Sequence, residues 1–302
     1  MPKNNVYKRK VIGSLTFVYK SSLESALSDL FDHGMSECSR VAKDLGVTRL
    51  PGIEVRVAKG LAEFMYLQPK GADVPSWAVG VAHPGLDMIV INFGRTKSGD
   101  LANADSVLAH ELSHVLLHHA VGGQRIPRWF DEGMAMREAG EWSFWRARAL
   151  MGPTLTGGLI PLKNLDLGFP LDEEKARLAY AESVEFVAWL FEDQGIDKVH
   201  ALLAGLRDGK PFLKALVSAL GMPLRKLEAE WRSYLKMRFS WIPLLTSSAV
   251  MWFLISIVFL LVYFTRRTKS RRRLEAMELE DTMEVFSGFP DDDEPPPGRV
   301  LH

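Results

Sequence analysis

Cysteine is nearly missing from this chain. Cys38 is the one thiol in 302 residues, which excludes an intramolecular disulfide. Its ordinary place is as a small apolar residue in a helical stretch. Net charge is missing too: 37 basic and 37 acidic side chains cancel, so there is no whole-chain electrostatic case for nucleic acid. No leader is legible either. Lys8-Arg9-Lys10 precede a short apolar run, Val11–Tyr19, but no small-residue cleavage site follows. The run alternates apolar and polar residues and is expected to be a first strand. No internal repeat is present. What remains is a chain long enough to bury a sizeable core, with its charges unevenly spread.

One segment is unlike soluble protein. From Ile242 to Phe264 there are 23 residues without a charge. As a helix they reach about 34 Å, enough for a hydrocarbon core of about 30 Å. Trp241 and Tyr263 suit the two interfaces, and Arg266, Arg267, Lys269, Arg271, Arg272 and Arg273 follow. These features predict a single-pass membrane helix at 241–265. The basic flank predicts residues 1–240 outside the cytoplasm and the tail inside. Such a topology calls for a start upstream with a signal peptide, in preference to a cytoplasmic domain on a tail anchor. The tail, 266–302, turns from basic to Asp291-Asp292-Asp293-Glu294-Pro295-Pro296-Pro297, a composition expected to be disordered.

Residues 1–123 read as an N-terminal α/β part. A helix is expected at Ser21–Leu45 with Gly46 as its cap, and a strand at Ile53–Val57. Trp77–Ala82 and Met88–Phe93 read as a hairpin. A strong helix is expected at Ala104–Ala120, capped by Asn103 or Asp105 and closed by Gly122-Gly123. Residues 124–240 read as helical, broken by a Gly/Pro-rich loop at Met151–Pro170. The fold class is therefore α+β, plus the membrane helix.

The chemistry concentrates in His110-Glu111-Leu112-Ser113-His114. Two histidines four apart share one helix face about 6 Å apart along the axis, so both imidazoles can reach one cation. Glu111, on the edge of that face, can hold the cation's water. A catalytic zinc needs a third protein ligand and an open position. Glu132, in Trp129-Phe130-Asp131-Glu132-Gly133-Met134-Ala135, offers it: 17 residues separate it from His114, enough to turn at Gly122-Gly123 and return antiparallel. Gly133 would let those backbones pack closely. His118 and His119 have the place of helix-end residues favourable to the dipole, and His83 that of a solvated turn residue.

These segments, with Tyr180 through Leu190 and Leu220-Gly221 … Leu227-Glu228-Ala229-Glu230-Trp231, resemble the gluzincins, and more closely the small bacterial peptidase MA-like family. The resemblance covers roughly residues 50–238. It implies a gluzincin-like zinc metallopeptidase with one Zn2+ per chain on His110, His114 and Glu132, Glu111 as general base, and Tyr180 stabilising the oxyanion. The His114-to-Glu132 spacing is one residue shorter than in the gluzincin aminopeptidases. Their Gly-Ala-Met-Glu-Asn motif also has no counterpart, which favours an endopeptidase. The expected partners are a peptide or protein substrate and the membrane. Two rivals stand beside this reading: a catalytically silent, membrane-tethered binding module of the same fold, and a zinc hydrolase of non-peptide amides or esters.

Overall fold

The computed structural model describes residues 7–96, 103–140, 144–239, 251–267 and 269. They divide into two compact units, residues 1–239 and 240–302.

The first unit opens with β1 (Tyr7–Ile12) and β2 (Leu15–Lys20), an antiparallel pair turning at Gly13-Ser14. The sequence suggested one strand over Val11–Tyr19. The alternation does run through that stretch, but Gly13 at φ +58° reverses the chain within it. Along β1 the Lys8, Arg9 and Lys10 side chains are exposed, whereas Leu15, Phe17 and Tyr19 of β2 face the core. A 3-10 segment, Ser21–Leu27, then leads into α1 (Ser28–Asp44), so the helix starts later than expected. Cys38 is buried on α1.

β3 (Ile53–Ala58) lies parallel to β2, and β5 (Met88–Asn92) parallel to β3. β4 (Gly80–His83) pairs antiparallel with β5, so the expected hairpin is present with shorter arms. The sheet order is β1-β2-β3-β5-β4, which leaves β4 at an edge. Short helices α2 (Leu61–Tyr66) and α3 (Phe93–Thr96) lie in the connections.

α4 spans Ala104–Ala120. The Asn103 side chain accepts a hydrogen bond from the Ser106 N–H at 2.8 Å, satisfying one free donor of the first turn. Gly122 and Gly123, at φ +62° and +71°, end it with left-handed backbone. Val107, Leu108, Leu112, Val115, Leu116 and Leu117 are buried. Apolar residues surround this helix because it is covered by the sheet, α1 and α5.

α5 (Arg128–Glu138), α6 (Phe144–Thr156), α7 (Glu173–Trp189), α8 (Ile196–Arg207), α9 (Phe212–Leu220) and α10 (Leu224–Phe239) follow. The loop expected from Met151 begins later, after Thr156. Leu150 and Thr154 are buried and hold this turn in place despite Pro153. The helical layer has an aromatic core: Trp129 stacks edge-on to Phe186 at 5.3 Å, and Phe186 to Trp231 at 5.4 Å.

α5 and α7 make the most intimate helix pair. A Cβ on Gly133 would lie 2.5 Å from the Ser183 carbonyl oxygen and 2.7 Å from Val187 Cγ2. Gly133 does permit close packing, but against α7 and not against α4. In the second unit, residues 251–267 are helical with exposed side chains. Residues 240–250 and the tail from 270 lie outside the described residues, so the expected membrane segment is only partly described. Among the described residues no helix is long and apolar enough to cross a membrane.

Gly133→Ala should therefore overpack the α5–α7 contact. Denaturant unfolding is expected to show a loss of about 1–3 kcal/mol, typical of overpacking. Unchanged stability would mean that the two helices can separate freely at this point.

Candidate metal centre

α4 presents His110 and His114 from successive turns, with ring centroids 5.0 Å apart. α5 brings Glu132 opposite, its Oε2 3.9 Å from His110 Nε2. One ligand atom from each of the three lies within 4.8 Å of the others. Three tetrahedral ligands on a small cation stand about 3.4 Å apart, so the observed spread closes with small side-chain rotations. Glu132 is largely shielded in the second turn of α5, where a plain helix-start acid would face solvent.

Charge sharpens the picture. Burial, with the neighbouring His114 charge, pushes His110 down to about 3, leaving a neutral imidazole with a lone pair to give. At His114 burial also opposes charge. It is outweighed by Asp131, through both its charge and a hydrogen bond, and by Glu132 and Glu111, so this imidazole is pushed up to about 10. Burial raises Glu132, with Asp131 adding to the rise. With three carboxylates converging here, a proton on His114 supplies the positive charge. A divalent cation supplies the same charge without that proton, which is the chemistry expected of a metal site.

Asp131 is the residue that sequence reasoning left without a role. Its Oδ1 lies 2.8 Å from His114 Nδ1, so that nitrogen donates and Nε2 is turned to the other donors. The two residues are partners across helices, and only their neighbourhood to Glu132 hinted at it.

Glu111 lies in the same cleft and belongs to neither ion pair. Burial raises its carboxyl to about 7. The His114 charge and a hydrogen bond from the Ala82 N–H pull it down, and Glu132 pushes it up. The Ala82 bond follows from register. The Asn92 N–H donates to the Val79 carbonyl at 2.8 Å, and Gly80 and Ala82 stand opposite Ile91 and Ile89. In such a ladder Gly80 and Ala82 turn their backbone groups away from β5, towards the cleft. Gly80 also explains how near the strand lies: a Cβ there would fall 2.5 Å from Glu111 Oε1.

The cleft has a volume of about 580 Å³. Pro75, Trp77, Val81 and Pro84 line it from the β4 side, and Arg128, Arg177 and Tyr180 from the side of α5 and α7. Tyr180 thus shares the cavity with Glu111. Burial and then Glu132 raise its hydroxyl, while Arg128 acts in the other direction through a hydrogen bond and its charge. The remaining histidines lie elsewhere. His83 is not merely solvated: its Nε2 is 2.8 Å from Gln68 Oε1, and burial, then Arg56, lowers its pKa. His119 Nε2 meets Asp87 Oδ1 at 2.6 Å.

Asp131→Ala removes the acceptor that orients His114. Divalent-metal affinity, measured by chelator competition, is expected to fall about 10–100-fold with the fold intact. Unaltered affinity would assign Asp131 to the surface alone.

No curated protein matches the chain. A model of the peptidase MA superfamily matches residues 37–237, from within α1 to within α10. That stretch includes β4, α4, α5 and α7, and so every residue placed in the cleft above; with two thirds of its length matched, the chain belongs to the peptidase MA superfamily.

Proposed function

We propose that this chain is a zinc-dependent metallopeptidase of gluzincin type, tethered to a membrane by residues 241–265. The observation that carries the reading is the joint placement of the three donors, the Glu111 carboxylate and an open strand edge in one cleft. Two imidazoles and one carboxylate are a donor set of catalytic zinc sites, in which a fourth position stays open. A zinc ion held there supplies Lewis acidity, polarising a carbonyl and acidifying water.

The residues of the chain do the rest. With the Ala82 N–H given to Glu111, a substrate peptide in extended form adds to the outward groups of Gly80 and to the Ala82 carbonyl on β4, which brings its scissile carbonyl beside Glu111. Glu111 accepts a proton from the attacking water as the new C–O bond forms. A base near 7 suits such a transfer at neutral pH. As the C–N bond breaks, Glu111 returns that proton to the leaving amine. Tyr180 donates its O–H to the oxygen on which negative charge develops. The products are a carboxylate and an amine, so atoms and protons balance. The cleft runs beside a strand edge, and the sequence lacks the exopeptidase motif named above; both favour internal cleavage.

Membrane attachment rests on the uncharged run Ile242–Phe264 and the basic residues after it. That flank favours residues 1–240 outside the cytoplasm and the tail within, in a bacterial envelope. Protease treatment of intact cells tests it: the tail should stay protected while the first unit is cut. Protection of the first unit with loss of the tail would reverse the topology.

Glu111→Gln is the test of mechanism. Gln keeps the size and can hydrogen-bond water, but it takes no proton. The variant should retain stoichiometric zinc and lose at least about 10²-fold in kcat, with little change in KM. Full activity in Glu111→Gln would refute the assigned base. A wild-type protein that holds zinc but cleaves no peptide would instead support a binding module or a hydrolase of other amides and esters.

A further inference from the structure

Arg128 has more partners in the cleft than a surface arginine needs. It is the first residue of α5, and its backbone is held firmly: the Arg128 N–H donates to the Asp166 carbonyl at 2.9 Å, and the indole N–H of buried Trp129 donates to Asp166 Oδ1 at 3.0 Å. From that fixed origin its guanidinium reaches Glu132 Oε1 at 3.4 Å and lies 5.5 Å from the centre of the Phe169 ring. Arg128 and Tyr180 both line the cleft. Phe169 in turn stands edge-on to Tyr180 at 4.6 Å, which fixes the phenol ring.

The division of atoms is informative. Glu132 gives Oε1 to Arg128 and keeps Oε2 on the side of His110, at 3.9 Å from its Nε2. One carboxylate oxygen is therefore occupied and the other is turned to the donor cluster. Tyr180 packs against the same Phe169 ring over which the guanidinium lies. Phe169 therefore stands between the guanidinium and a phenol that lines the cleft.

We propose that Arg128 is a positioning residue: its planar fork turns Glu132 towards the metal donors and, through the Phe169 ring between them, holds Tyr180 in the wall of the cleft. The proposal rests on the peptidase reading above and adds the residue that couples metal ligand to oxyanion donor. A plain helix ion pair of this exposure contributes little to stability, so a merely structural Arg128 would be nearly silent. A lysine carries the charge as a single point and cannot serve both partners in one geometry.

The test compares full-length wild type with Arg128→Met, Arg128→Lys, Tyr180→Phe and the Arg128→Met/Tyr180→Phe double variant. Three quantities are measured: zinc affinity by chelator competition, affinity for a phosphonamidate peptide, and kcat with KM. Arg128→Met should weaken zinc binding about 10-fold. It should also lower kcat and phosphonamidate affinity about 10–100-fold, with KM nearly constant. Tyr180→Phe should match the latter loss with zinc binding unchanged. The double variant should bind the phosphonamidate no worse than the weaker single variant. Arg128→Lys should recover zinc affinity but not phosphonamidate affinity. Fully additive losses, or a rise in KM confined to acidic substrates, would overturn the proposal and make Arg128 a substrate contact. If wild type holds zinc yet neither cleaves peptides nor binds the phosphonamidate, the peptidase reading falls and the Tyr180 half falls with it. The Glu132 half is then decided by the zinc measurement alone.

Discussion

Three carboxylates, Glu111, Asp131 and Glu132, face two imidazoles in a cleft where all but Asp131 are largely buried, and such a crowd needs positive charge among its members. Most of the first unit can be traced to this requirement. The groups must be dry enough for electrostatics to act strongly and rigid enough not to relax apart. α4 meets both conditions because it is covered by sheet and helices. Burial alone would lower His114, but the carboxylates around it, Asp131 first, outweigh burial and raise it. His110, without a carboxylate of its own at hydrogen-bonding distance, goes the other way and stays neutral.

Holding α5 beside α4 takes a second contact behind it. Gly133 brings α5 close to α7, and the edge-on stacking of Trp129, Phe186 and Trp231 fills the space beyond. Each aromatic pair adds roughly 0.5–1.5 kcal/mol beyond its buried area, more than the exposed ion pairs around the cleft contribute. Apolar packing thus locates the helices, and the polar contacts then aim individual atoms. Asp166 joins the two tasks: its carbonyl and carboxylate fix the first turn of α5, from which Arg128 projects, with Glu132 one turn further on.

What could be read from the sequence was what depends on neighbours in the chain. The bounds of α4 were legible because cap, apolar pattern and glycine stop all lie within one stretch. The histidine pair, Glu111 and Glu132 were legible because helix geometry and ligand chemistry constrain their spacing. Contacts between distant segments were not. Asp131 on His114, Gly80 against Glu111 and Phe169 on Tyr180 need the fold before they exist. Gly133 was recognised as a site of close approach, but its partner was assigned to α4, since nothing local distinguishes one neighbouring helix from another. Val11–Tyr19 misled for a related reason: its alternation continues across a turn that one glycine makes.

The sheet's two margins are finished in opposite ways. An uncovered strand invites another chain to pair with it, in a neighbouring molecule as readily as in a ligand. β1 carries Lys8, Arg9 and Lys10 on its exposed stretch, so two copies meeting along this margin repel each other. β4 has no charge between Gly80 and His83, and its outward groups sit in a recess beside α4. That recess, about 580 Å³ in volume, is too small for a folded neighbour and has room for a short stretch of extended chain. Colloidal stability and access for a flexible chain are thus obtained from one sheet, by giving each border a different chemistry.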